Sequence, residues 1–264
     1  MPDPASTPVF ILCGGLGTRL GELGRQQPKA MLDIGDRPML LHVMGCYARH
    51  GFRRFVVCTG HRREVISGYF LNFHAMHSDF TVDLATGALR HHGTGAVPDW
   101  EVTVAHTGSA AMTGARIARA AARHLGRAEH FAVTYGDGLT DADLAAEFTF
   151  HLAHDGLATM LGVGQPSPFG HVELRDDVVL SFQEKPRRDD DWVNGGFFLF
   201  RRAALEQFSA AADCVLERDV LPRLARAGQL RLFRWTGFWS CVDTVPDQQR
   251  VAALWEAGAA PWQR

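Results

Sequence analysis

Pro8-Val9-Phe10-Ile11-Leu12-Cys13-Gly14-Gly15-Leu16-Gly17-Thr18-Arg19-Leu20 joins a short apolar run to three glycines and an arginine. Pro8 to Cys13, with its apolar run Val9 to Leu12, is too short for a helix and reads as a strand buried on both faces. The glycines that follow make a loop whose backbone N–H groups can approach an anion closely. Asp36 to His50 comes next, with Pro38 near its start and Met39, Leu40, Val43, Met44 and Tyr47 at helical spacing. Gly51 stops it, so a helix is predicted there. Phe55 to Cys58 is a second buried strand. Strand, helix and strand within about fifty residues predict a parallel crossover.

The remaining pattern extends this plan. Phe80 to Asp83, Ala88 to His92 and Glu101 to His106 read as short strands of an insertion, antiparallel among themselves. Thr113 to His124 reads as a helix stopped by Gly126. Phe131 to Tyr135 is a strand running into Gly136-Asp137-Gly138. Asp141 to His154 is a helix whose acidic first turn suits the helix dipole. Leu157 to Val163, His171 to Arg175, Val178 to Glu184, Gly195 to Phe200 and Leu230 to Trp235 read as strands, and Val215 to Ala227 and Pro246 to Ala257 as helices. Alternating strands and helices predict an α/β fold with a mostly parallel central sheet covered on both faces. No internal repeat, low-complexity segment or linker divides the chain. We therefore expect one domain over residues 1–264, with a C-terminal extension.

Composition narrows the function. The 264 residues carry 27 basic and 29 acidic side chains, a formal charge of -2, which argues against a general nucleic-acid binder. No apolar run approaches the roughly 20 residues of a membrane helix. Met1 to Pro8 lacks the basic start of a secretory signal. Cys13, Cys46, Cys58, Cys214 and Cys241 are scattered, with no C-x-x-C, and read as buried thiols of a cytoplasmic protein. The pairs His74/His77 and His151/His154 have helical metal-ligand spacing, but thirteen histidines generate such pairs by chance.

One count singles out two positions. Of the 27 basic residues, 25 are arginine and only Lys29 and Lys185 are lysine. A chain that uses arginine wherever a solvated cation will do keeps lysine where a compact ammonium is wanted in place of a planar fork. Arg19 and Lys29 beside the glycine loop fit a triphosphate, although the spacing matches neither G-x-G-x-x-G nor G-x-x-x-x-G-K-[ST]. A glycine-rich turn without a ligand is the competing reading. Asp137, at the carboxyl end of a strand and flanked by glycines, is placed to hold Mg²⁺ through oxygen, unless it is only an Asp-Gly turn. Phe182-Gln183-Glu184-Lys185-Pro186 contains the second lysine, with Asn194-Gly195-Gly196 beyond it. Glu184 fits sugar hydroxyls; an exposed charged turn is the alternative. Asp243 is a lone acid in the aromatic stretch Gly237-Phe238-Trp239-Ser240-Cys241-Val242, either a second metal ligand or a helix cap.

Taken in order, these segments resemble the sugar-1-phosphate nucleotidyltransferases, and within them the branch that transfers a cytidylyl group to glucose 1-phosphate. The similarity runs from Gly14-Gly15-Leu16-Gly17-Thr18-Arg19-Leu20 and Pro28-Lys29 through Met112-Thr113-Gly114, Tyr135-Gly136-Asp137-Gly138, Glu184-Lys185-Pro186 and Asn194-Gly195-Gly196 to Asp243-Thr244 and Ala260-Pro261-Trp262. The resemblance implies a Rossmann-like fold. It also implies that CTP lies over Leu12, Gly14, Gly15, Gly17 and Thr18, with Thr113, Gly114, Tyr135 and Gly136 completing the nucleotide site. Asp137 and Asp243 would hold Mg²⁺. Lys185 would contact the phosphate of the sugar 1-phosphate, with Glu184, Asn194 and Gly195 facing the sugar. Arg19 and Lys29 would stabilise the departing pyrophosphate. A homo-oligomer is implied too, and residues 71–98 are the expected insertion or contact surface.

The chain departs from the family at several places. The usual lysine-proline-lysine-proline is Gln27-Pro28-Lys29-Ala30, the second glycine after Thr113 is Ala115, and the acceptor turn carries Pro168 and then His171. The methyl of Ala115 is expected to crowd the nucleotide if that backbone needs a positive φ. The changes at Pro168 and His171 bear on which sugar is accepted.

Overall fold

The computed structural model describes residues 2–15, 27–93, 97–164, 171–183 and 191–263. Seven strands form the central sheet: β1 (Pro8–Cys13), β2 (Arg54–Thr59), β3 (Glu101–His106), β4 (His130–Tyr135), β5 (Ala158–Gly164), β6 (Trp192–Arg201) and β7 (Leu230–Trp235), in the order β7-β5-β6-β4-β1-β2-β3. β1 pairs in parallel with β2 and β4, β2 with β3, and β5 with β7. β6 alone runs antiparallel to its neighbours β4 and β5. The sheet is the mostly parallel α/β sheet that the pattern predicts.

The helices are α1 (Met39–Ala48), α2 (Arg63–Leu71), α3 (Phe73–His77), α4 (Thr113–His124), α5 (Leu144–Leu152), α6 (Leu221–Arg226) and α7 (Val245–Glu256). β1 shows why both faces of the sheet are covered. Every residue of it is buried. Val9, Ile11 and Cys13 join α1 in one core, while Phe10 and Leu12 join Ile117 and Ala120 of α4 in the other. Strand alternation thus splits one apolar run between two layers of helix.

Three expectations are corrected. Glu101 to His106 is not part of an antiparallel insertion; it is β3, in register with β2 from Arg54↔Glu101 to Thr59↔His106. Its buried face carries too few large apolar residues to announce a central-sheet strand. Between β2 and β3 the chain forms α2 and α3, which the sequence pattern did not announce, and then a separate hairpin of Asp79–Val82 against Leu89–His92. Finally, Cys241 is only half-buried, unlike the other four cysteines.

The order of strands fixes where a ligand can sit. From β1 the chain builds outward through β2 to β3, then returns to place β4 on the other side of β1. The connections after β1 and β4 therefore leave in opposite directions and open a crevice at the carboxyl ends of these two strands, the usual ligand position of open α/β sheets. Those ends are Cys13 and Tyr135, directly before Gly14-Gly15 and Gly136-Asp137.

Candidate active site

A cavity of about 580 Å³ occupies this crevice. Leu12, Gly14, Gly15, Lys29, Thr113, Tyr135, Gly136 and Asp137 all line it, as does the segment Ser109 to Met112. Elements distant in sequence thus converge on one chamber. Leu16, Gly17, Thr18 and Arg19, together with Glu184, Lys185 and Pro168, lie outside the described residues, and so does the side chain of His171.

Close packing explains several of the small residues in and behind the walls, though a Cβ on Gly15 would meet nothing within 4 Å. A Cβ on Gly136 would meet Cys13 Sγ at 2.8 Å and Ala30 Cβ at 3.1 Å, so the strand end can pass only as glycine, and Ala30 fills the space beside it. A Cβ on Gly114 would lie 2.6 Å from Cys214 Sγ and 3.1 Å from its carbonyl. Gly114 is therefore needed for helix packing. Ala115 lies inside α4, buried, and is not among the residues with positive φ. The methyl there meets no conformational barrier.

Asp137 and Asp243 are 106 positions apart and are joined by a small two-stranded sheet. Gly138–Thr140 pairs antiparallel with Trp239–Cys241, with Cys241 opposite Gly138. Val242 N–H then donates to the Asp137 carbonyl at 3.0 Å. Asp243 lies two residues before α7. The helix cap is its neighbour Thr244, which forms a capping box with Asp247. The cap reading of Asp243 is thereby excluded, and its carboxylate faces Asp137.

Lys29 lies between them. It begins a single 3₁₀ turn, Lys29–Met31, after Pro28. Its Nζ donates to Asp137 Oδ2 at 2.6 Å and to Asp243 Oδ1 at 2.5 Å. The three side chains are 17%, 23% and 36% exposed, so the group is screened from water without being sealed. Burial pulls the Lys29 pKa down, but the charge of Asp137 and the hydrogen bonds donated to both carboxylates outweigh it and hold the ammonium above its ordinary value.

The donor set suits a metal. Oxygens of Asp137 and Asp243 and the sulfur of Cys241 lie within 4.8 Å of one another, the one such group of three among the described residues. Two carboxylates are hard donors of the kind divalent cations such as Mg²⁺ take, and the position between them already accommodates a compact cation, the Lys29 ammonium. The histidine pairs do no comparable work. His151 and His154 both bond Thr159 Oγ1, and His77 bonds the Phe73 carbonyl.

Two residues were missed by the sequence reading. Arg116 of α4 is 5% exposed and lines the cavity. Its guanidinium donates to the carbonyls of Gly14 (3.1 Å), Thr59 (3.1 Å), Gly108 (2.9 Å) and Ser109 (3.3 Å) and to Thr107 Oγ1 (3.0 Å). It ties the start of the glycine loop to the ends of β2 and β3. Burial lowers its pKa, and no carboxylate among the described residues pairs with it. Glu217 is the other. Its carboxylate accepts from Thr113 Oγ1 at 2.8 Å and from the Tyr135 hydroxyl, joining the α4 and sheet walls of the cavity. Burial, then the Glu217 charge, pushes the Tyr135 phenol up, so it stays protonated. Asn194 and Gly195 lie in β6. Asn194 Oδ1 accepts from Gly196 N–H at 2.8 Å, and the Gly195 carbonyl accepts from Trp239 Nε1 at 2.6 Å. They stand near the small sheet of Gly138–Thr140 and Trp239–Cys241 rather than in the cavity lining.

Comparison with known proteins places this geometry. The nucleotidyl transferase family model matches residues 9–253. Glucose-1-phosphate cytidylyltransferase of Salmonella typhimurium is 40% identical over 255 residues, covering 97% of this chain and 98% of the relative. The probable glucose-1-phosphate cytidylyltransferase of Bacillus subtilis is 33% identical with the same coverage. Among solved structures, a putative glucose-1-phosphate thymidylyltransferase from Bacillus anthracis has a TM-score of 0.67 at 18% identity, covering 94% of each chain. HddC from Yersinia pseudotuberculosis has a TM-score of 0.67 at 21% identity, covering 94% of this chain and 99% of its own. These two support the fold alone. With the family model spanning nearly its whole length and a relative 40% identical from end to end, the chain belongs to the nucleotidyl transferase family.

Proposed function

We propose that this chain transfers a cytidylyl group from CTP to α-D-glucose 1-phosphate, giving a CDP-sugar and pyrophosphate. The observation that carries this reading is the convergence of the Gly14-Gly15 loop, Lys29 and the Asp137/Asp243 pair at one end of β1 and β4, in a chain 40% identical to a glucose-1-phosphate cytidylyltransferase. Asp137 and Asp243 would hold a divalent cation, Mg²⁺, which when bound neutralises phosphate charge and polarises the α-phosphoryl group.

The rest of the work falls to the protein. The acceptor phosphate is already ionised and needs no general base, so catalysis is positioning plus electrostatics. Backbone N–H groups of the glycine loop bind the nucleotide phosphates, and Thr113 stands at the wall where the base would lie; Gly114, expected there from the sequence, is buried behind it against Cys214 and supports that wall. Arg19 and Lys29 balance the charge that develops on the leaving pyrophosphate. Lys185 holds the acceptor phosphate, and Glu184, Asn194 and Gly195 face the sugar. No helix among the described residues is long and apolar enough to cross a membrane.

The test is pyrophosphate release from purified protein with Mg²⁺, offering CTP, UTP and dTTP against glucose 1-phosphate and other sugar 1-phosphates. Release with CTP and glucose 1-phosphate is expected. Release only with another acceptor would keep the reaction class and make Pro168 and His171 specificity positions. Tight nucleotide binding with no release across the panel would mean a non-catalytic sugar-nucleotide binder.

The chain works as a homo-oligomer in this reading. The hairpin Asp79–Val82/Leu89–His92 is exposed along its whole length and carries Phe80, Val82, Leu84 and Leu89 into solvent. An isolated two-stranded ribbon is marginal in water, so a second copy of this chain is expected to cover it. Sedimentation velocity should show a species larger than 29.1 kDa; a monomer at micromolar concentration would remove this role from residues 71–98.

A further inference from the structure

Lys29 occupies the position between Asp137 and Asp243 that a divalent cation would take. We propose that Lys29 is a tethered competitor for the metal site: it bonds both carboxylates and offsets one of their two charges while the nucleotide is away, and leaves them when nucleotide phosphates enter. Metal and nucleotide binding are thereby coupled. The proposal rests on the reading of Asp137 and Asp243 as metal ligands, and goes beyond it in giving Lys29 a function before the nucleotide arrives.

Three observations carry it. The contacts are direct: one ammonium bonds an oxygen of each carboxylate, at 2.6 and 2.5 Å. The same two side chains are the oxygen donors of the only potential three-ligand group among the described residues. Lys29 also lines the cavity with Gly14 and Gly15, so its flexible stem starts beside the loop expected to carry phosphates. An ammonium and a divalent cation cannot share the space between two carboxylates, because like charges a few ångströms apart repel strongly where water is partly excluded. Entry of the metal must therefore displace Lys29. Displacement is unfavourable while the ammonium has nowhere else to go, and becomes favourable once phosphate oxygens are within its reach. That difference is a coupling free energy, and by linkage the metal must strengthen nucleotide binding as much as nucleotide strengthens metal binding. The role needs a compact cation on a mobile stem, which lysine provides and the planar guanidinium does not.

The scarcity of lysine supplies a direct probe. Protein labelled at lysine Cε with ¹³C contains two lysine side chains, Lys29 and Lys185, and the variant Lys185→Arg assigns them. Addition of Mg²⁺ alone is expected to leave the Lys29 resonance in place, and Mg²⁺ with CTP to move it. In parallel, Mn²⁺ binding to nucleotide-free protein is followed by electron paramagnetic resonance. Lys29→Met should bind Mn²⁺ at least about tenfold more tightly than the parent, since two adjacent carboxylates lose the cation they share. CTP should tighten Mn²⁺ binding markedly in the parent and much less in Lys29→Met. Equal or weaker Mn²⁺ binding by folded Lys29→Met would overturn the proposal, as would a Lys29 resonance that shifts fully with Mg²⁺ alone. Neither readout requires turnover or depends on the sugar, so failure of the proposed reaction and failure of this coupling are told apart.

Discussion

At the scale of single residues, Lys29 and Asp137 show how far side-chain chemistry can be read before geometry. Lys29 was conspicuous because the chain uses 25 arginines and two lysines. Its partners were not legible, because Asp137 and Asp243 meet only through the Gly138–Cys241 pairing. The structure adds the reason the ammonium must be compact: it bonds two carboxylates in a partly buried site. Lys29→Arg should therefore lose most turnover although its charge is kept, because a rigid fork cannot both sit between the carboxylates and transfer to phosphate. Steady-state pyrophosphate release measures this, and a near-normal rate would refute the point-charge reading. Asp137→Asn should fold normally yet lose Mg²⁺-dependent turnover, since an amide oxygen carries no charge for the cation. Melting curves and a Mg²⁺ titration of activity separate these effects; a variant as active as the parent at ordinary Mg²⁺ would take Asp137 out of the metal site.

At the scale of elements, α4 spans Thr113–His124, the range read from the sequence, and β1, β3 and β7 also match their predicted limits. Apolar periodicity and glycine stops suffice for such segments. What periodicity could not show is that α4 carries a structural cation inward. Arg116 is one arginine among 25, and nothing in its neighbourhood marks it as buried. Its importance comes from five acceptors on three separate segments, and from the space that Gly14 and Gly60 leave for it. A Cβ on either glycine would come within 2.4 Å of a guanidinium atom. These glycines follow β1 and β2 directly, so the glycine loop is shaped as much by Arg116 as by any ligand. Arg116→Met should strand several buried carbonyls and cost about 3 kcal/mol or more of stability. Urea unfolding monitors the loss. Nucleotide affinity should fall in the same variant, measured by calorimetry below its melting transition. Unchanged stability would mean that the carbonyls find other donors and that Arg116 does not organise the loop.

At the scale of the whole molecule, the buried histidines set how the fold responds to acid. His151 is fully buried between α5 and β5, and its Nδ1 meets Thr159 Oγ1 at 2.9 Å. Burial, followed by the charges of His130, His154 and Arg201, lowers its pKa to about 3. His42, His50, His124, His130 and His154 are also lowered, each first by burial. A histidine whose folded pKa is depressed stays neutral in the native state while the unfolded chain takes up a proton. Its stabilisation is therefore present above the unfolded pKa near 6.5 and drains away as pH falls toward the folded value. For His151 that loss is on the order of 4 kcal/mol between about pH 6.5 and 3. Glu147 acts in the opposite sense. Burial raises its pKa well above 4.5, and its Oε1 has no hydrogen-bond partner among the described residues. It thus destabilises the native state at neutral pH and relieves that penalty on mild acidification. Among the described residues, six lowered histidines stand against one raised carboxyl, and the lowered Asp36 and Asp247 add to the histidines, so stability falls toward acid. Urea midpoints should fall between pH 7 and pH 5, and His151→Gln should flatten that fall while keeping a polar group beside Thr159. Glu147→Gln should raise the midpoint at pH 7.5 and have little effect at pH 4.5, where the native carboxyl is already protonated. An unaltered pH slope in His151→Gln would show that the acid response arises elsewhere, and that the α5–β5 histidines are bystanders to it.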